Sequence, residues 1–498
     1  MFRDSPTLPS TLPETRAQIA GELQILRPGR NCWRIERANR AAFLVHGCAY
    51  FAALGAALRR AQRSVLLLGW DFDPKTCLDP RAATAEAPGR FQDLLHALVA
   101  ERPDLRVDIL IWDATVLFRP GQKLPSLFDT PVDAPERITL RYDGNVPPGA
   151  SHHDKLVVID DAIAFAGGID IVGHRWDTAA HCCPDPLRRR PSGEPYGPIH
   201  DIMMAVDGEA AAALGELARM RWLQATGTVL PPAGRGFDPW PPDLAPDVRN
   251  VAVGIARTLP KLNGNAPVQE VAALNDDALG AARDWIYIET QYLASSRIGD
   301  LLARLLEGPE PPEIVIVVRY QSNGWIEELV MGSNRDRLLR RLRDADRRDR
   351  LRVLHPVLDA PEDSPDRHLN VHAKLVMADG RFIRIGSSNL NNRSLGLDTE
   401  CDLAIEAGTP ETAGAITALR NRLLAEHLDT TEAAVAAAVA RCGGLIPAIE
   451  SLNVKPRGLR RFAAEEQDGP AEPIAGTAVL DPEEPIDLDT LRRAILPA

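Results

Sequence analysis

Two histidine–lysine pairs carry the chemistry that this chain of 498 residues could do. His153, Lys155 and Asp160 stand in the pattern H-x-K-x4-D, and His372, Lys374 and Asp379 repeat it. The stretch after each aspartate opens at the same offset, as Gly167-Gly168-Ile169-Asp170 in the first copy and Gly386-Ser387-Ser388-Asn389 in the second. Side chains two residues apart leave the same face of an extended strand, so the imidazole and ammonium of each copy point at one place. Small residues at the end of the following strand let a ligand approach backbone N–H groups. These are the parts of a phosphate pocket. Either copy alone also reads as a buried strand, Leu156-Val157-Val158-Ile159 or Leu375-Val376-Met377, that begins with polar residues. The tandem recurrence is what argues for chemistry.

The elements that must position these residues follow one order twice. The first half predicts a helix over 49–62, a strand from Ser64 to Asp71, a helix over 90–100, and strands Arg106–Trp112 and Ile138–Tyr142 before its motif. The run Ile202–Val206 and a helix over 209–224 close it, and the Pro- and Gly-rich residues 230–248 read as a linker. The second half predicts a helix near 275–283, strand Trp285–Glu289, a helix over 298–307, the apolar run Glu313–Val318, a helix over 334–346, and strand Leu351–Leu354 before the second motif. Strands alternating with helices imply an α/β layer structure, and continuous apolar runs suit strands covered on both faces. The arginines of 335–350 alternate with aspartates and flank Leu338, Leu339 and Leu342, which reads as a solvated amphipathic helix.

The paired motif resembles that of the phospholipase D superfamily, whose members bring two such halves together around one phosphodiester. The likeness extends to Gly173-His174-Arg175-Trp176-Asp177-Thr178, Ile199-His200-Asp201, Ile286 to Tyr292 with Glu289 and Gln291, and Asn391-Asn392-Arg393-Ser394 through Thr399-Glu400. It covers roughly residues 40 to 455. The resemblance implies two tandem α/β repeats, mixed sheets flanked by helices, with a pseudo-two-fold active site between them. The internal repeat gives domains at 36–245 and 246–460, and composition reads 1–35 as an amino-terminal arm with a short helix from Glu14 to Ile25 and 461–498 as an acidic, Pro-rich tail with a helix at 488–495.

A phosphodiester must lose an alcohol while a nucleophile attacks opposite it, and its equatorial oxygens need positive charge. Two histidines and two lysines meet that demand. The sequence is symmetric as to which histidine attacks; the resemblance implies His153 as nucleophile and His372 as general acid and base. Lys155 and Lys374 would hold the nonbridging oxygens with help from the Asn389 amide, while Asp170, in the matching place, cannot donate when ionised. An acidic group downstream of each motif should fix the histidine tautomer: Glu400, nearest His372 by sequence, and Asp177 in the first half. Asp160 and Asp379 are expected at the far end of their strands, in structural ion pairs or in turns. His200, Asp201, Glu289, Gln291 and Ser387 are expected to support the site or the substrate. The spacing of His174, His181, Cys182 and Cys183 fits none of the usual zinc patterns, and neither metal nor cofactor is expected.

Composition narrows the function. With 45% hydrophobic and 25% charged residues the chain has the composition of an ordinary globular protein. A net charge of −12 disfavours a protein devoted to gripping nucleic acid, which needs a basic footprint. Seven scattered cysteines and no recognisable signal segment point to the cytoplasm, and no apolar run approaches the ~20 residues that span a bilayer. The expected activity is hydrolysis or head-group exchange of a glycerophospholipid met peripherally at a membrane surface, by a monomer, with water or an alcohol as acceptor. A cardiolipin synthase-like transferase, a nuclease and a noncatalytic phosphate-binding protein are the alternatives.

Overall fold

The computed structural model describes residues 24–84, 87, 89–113, 136–234, 236–320, 333–462 and 481–482. The helices expected within 14–25 and at 488–495 lie almost wholly outside them. The first half runs through β1 (Arg34–Val45), β2 (Ser64–Gly69), β3 (Arg106–Trp112), β4 (Ile138–Asp143), β5 (Leu156–Ile159), β6 (Ile163–Gly167), β7 (Ile199–His200) and β8 (Ile202–Asp207). The second runs through β9 (Val248–Leu259), β10 (Val268–Gln269), β11 (Trp285–Thr290), β12 (Glu313–Val318), β13 (Leu351–Val357), β14 (Asn370–Val371), β15 (Lys374–Ala378), β16 (Phe382–Gly386), β17 (Glu400–Glu406) and β18 (Gly458–Arg461).

All but two of these strands join one sheet of 16, in the order β18-β13-β12-β11-β15-β16-β17-β9-β1-β8-β6-β5-β2-β3-β4, with β10 on β9. Read outward from the centre, the order is the same on both sides: β1 matches β9, β8 matches β17, β6 and β5 match β16 and β15, and β2, β3 and β4 match β11, β12 and β13. The two halves meet where β1 pairs antiparallel with β9, Ile35 opposite Gly254 and Ala38 opposite Val251. The fold is thus a duplicated α/β unit fused edge to edge.

Period-2 alternation places the core on both faces of this sheet. Leu66 and Leu68 of β2 enter an apolar cluster that also holds Tyr287 of β11 and Val315 and Val317 of β12, so one face is a core common to both halves. Val65 and Leu67 face the other way, into a cluster of the first half, as Ile286 and Ile288 do in the second. Helices α1 (His46–Leu58) and α2 (Phe91–Glu101) cover the first half's outer face. The common face carries α3 (Gly208–Thr226), and the second half's outer face carries α4 (Glu270–Gly280), α5 (Ser296–Glu307) and α6 (Ser333–Ala345). Leu338, Leu339 and Leu342 of α6 are buried there. After α7 (Asn392–Gly396), α8 (Pro410–His427) returns to the common core, followed by α9 (Glu432–Cys442) and α10 (Leu445–Leu452). Burying each such Leu or Ile contributes about 1.5–3 kcal/mol.

Two expectations change here. The end of the segment assigned to an arm reaches the core: Ile25, Leu26 and Cys32 are buried, and the Gln24, Ile25 and Leu26 amides all donate to the Glu406 carboxylate. Asp481, assigned to a surface tail, is buried and accepts the Asn392 and Arg393 amides that open α7.

Candidate active site

Each motif histidine sits at the start of its motif strand, held by a short pairing with the opposite half. In the first motif Thr399 N–H donates to Ser151 O and His153 N–H to Thr399 O, 3.0 Å each. In the second, β14 pairs parallel with β7, and His372 N–H donates to His200 O at 2.7 Å. The residue after each accepting carbonyl is acidic. Glu400 Oε1 and Oε2 both lie 3.0 Å from His153 Nδ1, and Asp201 Oδ2 lies 2.7 Å from His372 Nδ1.

The pairing is therefore crossed, each half lending its carboxylate to the other's histidine. Glu400 serves His153 rather than His372, and Asp177 serves neither: it accepts from His181 and Arg188. Asp201 holds the place in the first half that Glu400 holds in the second. Spacing concealed this. Glu400 follows His372 by 28 residues, and Asp177, 24 residues after His153, appeared equivalent; the loop 173–198 delays Asp201 to 48 residues.

The lysines are placed alike. Lys155 Nζ donates to His153 O at 3.0 Å and pairs with Asp170 Oδ2 at 3.1 Å. Lys374 Nζ donates to His372 O and, at 3.0 Å, to Gln291 Oε1. Asp170 thus anchors a lysine instead of failing to donate to phosphate. Ser387 donates its hydroxyl to Glu400, and Asn389 is buried with its Oδ1 lacking a partner among the described residues.

Asp160 and Asp379 stand apart from this chemistry, roughly 20 Å of strand from the histidines. Both adopt positive φ in a tight turn, 53° and 54°. Neither makes the expected ion pair among the described residues; each carboxylate accepts three main-chain N–H groups at the start of a neighbouring strand. Asp160 takes those of Gln62, Arg63 and Ser64, and Asp379 those of Arg283, Asp284 and Trp285. The final D of the motif is a turn and strand cap. His200 and Glu289 also face away from the reacting groups, bonded to one another at 2.6 Å.

Glycines make room for buried carboxylates, Gly168 for the crossed Asp201 and Gly386 for Asp402, which pairs with Arg384. A Cβ at Gly168 would stand 2.1 Å from Asp201 Oδ1, and one at Gly386 would stand 1.8 Å from Asp402 Oδ1. These small residues admit the protein's own carboxylates, not the substrate as their composition suggested.

Electrostatics joins the two motifs. Burial pushes His153 well below the usual imidazole range, and the charges of Lys155 and of Lys374 from the other motif add to it. His372 is lowered likewise by burial and by Lys374. Burial brings Lys374 down to about 7 and raises Glu400 to about 7 and Asp201 to about 6. With Nδ1 of each imidazole committed to a carboxylate, a neutral ring presents its lone pair at Nε2. Two such atoms and two ammonium groups share one field.

Residues 276–422 match the family model described as cardiolipin synthase, PLD-like domain. Phospholipase D A of Dictyostelium discoideum is 25% identical over 418 residues, taking in 71% of this chain and 32% of that protein. Phospholipase D1 of Schizosaccharomyces pombe is 24% identical over 487 residues, 75% of this chain and 34% of that protein. These matches support the phospholipase D superfamily as the family of this chain. The chain spans about a third of the length of these two curated relatives. Its fold is similar to that of the crystal structure of phosphatidylserine synthase from Haemophilus influenzae, with a TM-score of 0.51 and 15% identity over 78% of this chain and 87% of that one.

One buried ion pair beside the first motif was not legible in the motif spacing. Asp154, between His153 and Lys155, faces away from them and pairs with Arg221 of α3, which also reaches Asp143 at 3.1 Å and Thr399 Oγ1 at 3.1 Å. The second motif has Ala373 at that place, buried in the common core. The signal was present: an aspartate at the buried entrance of an apolar motif strand needs a buried cation, and Arg221 lies on the inward face of its helix.

Proposed function

We propose that the protein hydrolyses glycerophospholipids at the head-group phosphodiester, giving phosphatidic acid and a free alcohol, and transfers the phosphatidyl group to other alcohols through a phosphohistidine. The observation that carries this reading is the crossed pair of histidines, each with Nδ1 on a carboxylate of the opposite half and both in the field of Lys374. His153 Nε2, in its neutral ring, attacks phosphorus as the head-group P–O bond breaks, and His372, entering the step as an imidazolium whose Nδ1–H is held by Asp201, gives its Nε2 proton to the departing alkoxide and becomes neutral. His372 then takes a proton from water or an alcohol, whose oxygen attacks phosphorus and breaks the P–N bond. Lys155 and Lys374 hold the nonbridging oxygens, aided by Asn389. A cavity of about 780 Å³ lined by Arg175, Arg190, Arg319, His368 and Asn370 suits an anionic phosphate. Arg175 acts on both His372 and Lys374, so the cavity adjoins the second motif. Among the described residues no helix is long and apolar enough to cross a membrane, and contact with lipid would be peripheral.

The description of the family model matched by 276–422 favours a second reading, in which the preferred acceptor is a lipid alcohol rather than water. One experiment separates them: labelled phosphatidylcholine with and without a primary alcohol, beside phosphatidylglycerol as acceptor and single-stranded DNA as competing substrate. Phosphatidic acid that gives way to phosphatidyl-alcohol, at constant head-group release, is expected. His372→Asn should trap labelled His153 with a substrate whose leaving group needs no proton. Absence of both transfer product and labelled histidine would leave direct attack by water. Cleavage of DNA alone would move the protein to the nucleases.

A further inference from the structure

Behind the active site, four side chains from distant parts of the chain converge on one point. His46 Nε2 lies 2.7 Å from Glu426 Oε2, while His181 Nε2 and His200 Nδ1 lie 3.0 and 2.9 Å from Glu426 Oε1. These ligand atoms all fall within 4.8 Å of one another. All three imidazoles are at least 97% buried. The His46 ring is steeply inclined to the other two, at 84° to His181 and 74° to His200 with centroids 4.9 and 5.0 Å away, so nitrogens rather than ring faces meet at the centre.

Two further observations point to an ion there. The distal nitrogens of two of the rings are held by carboxylates, His181 Nδ1 by Asp177 Oδ2 at 2.8 Å and His200 Nε2 by Glu289 Oε2 at 2.6 Å. A carboxylate behind an imidazole keeps the proton on the far nitrogen and turns the lone pair inward, which is how metal-bound histidines are oriented. His46 takes a positive φ of 72° at the start of α1, a strained conformation for a side chain with a Cβ, and its ring reaches Glu426 from there. Filled by protons alone, the network needs His181 and His200 each to donate from both nitrogens. That would place two buried imidazolium ions with centroids 6.3 Å apart. A dication replaces those two protons at equal charge.

We propose that His46, His181, His200 and Glu426 bind one zinc ion. Three imidazole nitrogens and a carboxylate oxygen suit this borderline metal, and a four-coordinate ion would separate the donor atoms by about 3.3 Å, a few tenths more than the present 2.7–3.0 Å between each imidazole nitrogen and the Glu426 carboxylate. Four protein ligands leave no open position, so the ion is structural. It bolts three ligands of the first half to one of the second. His200 is also the residue whose carbonyl receives His372 N–H and which precedes Asp201, so the bolt steadies one side of the catalytic pair. Spacing hid this site, because its ligands stand at 46, 181, 200 and 426.

The test is elemental analysis of untagged protein made in zinc-supplemented medium and dialysed: one zinc per chain is expected. A strong chelator should lower the melting temperature, and zinc alone should restore it. Cobalt(II) added to the stripped protein should give the visible absorption of a four-coordinate site. His181→Ala, judged folded by circular dichroism, should lose the metal; because this variant can fail to fold, Glu426→Gln and the wild-type titration stand beside it. Protein isolated without metal, with no uptake at micromolar zinc and a melting temperature indifferent to chelator, overturns the proposal, as does full zinc content in a folded His181→Ala. These readouts are independent of any activity on lipid.

Discussion

The active-site carboxylates are tuned against stability. Glu400 is raised from 4.5 to about 7 by burial, so its ionisation costs the fold: the stability it contributes when protonated is whole below pH 4.5 and is lost as pH rises through 7. Glu400→Gln should therefore melt higher than the parent at pH 8, by on the order of 3 kcal/mol in stability, with the gap closing toward pH 4.5. The same substitution should cost about 100-fold or more in turnover, since His153 loses the negative charge that stabilises its ring as it attacks phosphorus. In the free protein kcat/KM should peak near pH 7, falling on the acid side as Glu400 takes a proton and on the alkaline side as Lys374, lowered to about 7, gives one up. Lys374→Arg keeps its charge and should flatten the alkaline limb; an unchanged limb would move that ionisation to another group. His153→Ala and His372→Ala should each abolish turnover with the fold intact.

At the scale of elements, Gly168 at the end of β6 offers a geometric test. Gly168→Ala puts a methyl where Asp201 Oδ1 now stands, and the carboxylate must swing off His372. A loss of at least tenfold in kcat, with KM little changed, is expected; full activity would separate Asp201 from the reaction. The buried strands were legible because runs such as Glu313–Val318 admit no other reading in a layered α/β fold. The seam strands β1 and β9 were not legible. Arg34, Arg40 and Arg257 interrupt their apolar alternation, and the partners that neutralise them, Glu216, Asp207 and Glu270, lie elsewhere in the chain or past a turn. Motif histidines and lysines were readable from type and spacing. Their carboxylates were misassigned because a loop changed the interval and the sequence does not show that pairing crosses between halves.

Among the described residues one sheet of 16 strands runs through both halves with the β1–β9 seam at its centre, so the halves are joined by hydrogen bonds and a common core as well as by the linker. A protease site inserted after Gly236, exposed in that linker, should be cleavable with activity retained while the fragments stay associated. Fragments separated in denaturant and refolded singly should be inert, and mixing them should restore turnover. Activity in either lone fragment would mean that one motif suffices. The crossed carboxylates give this interdependence a meaning in time. During synthesis His153 leaves the ribosome 247 residues ahead of Glu400. A nascent chain with its first half already folded therefore carries an imidazole that is not yet poised to attack. Competence arrives only with the completed duplication, and a chain truncated before Glu400 lacks the carboxylate that holds His153.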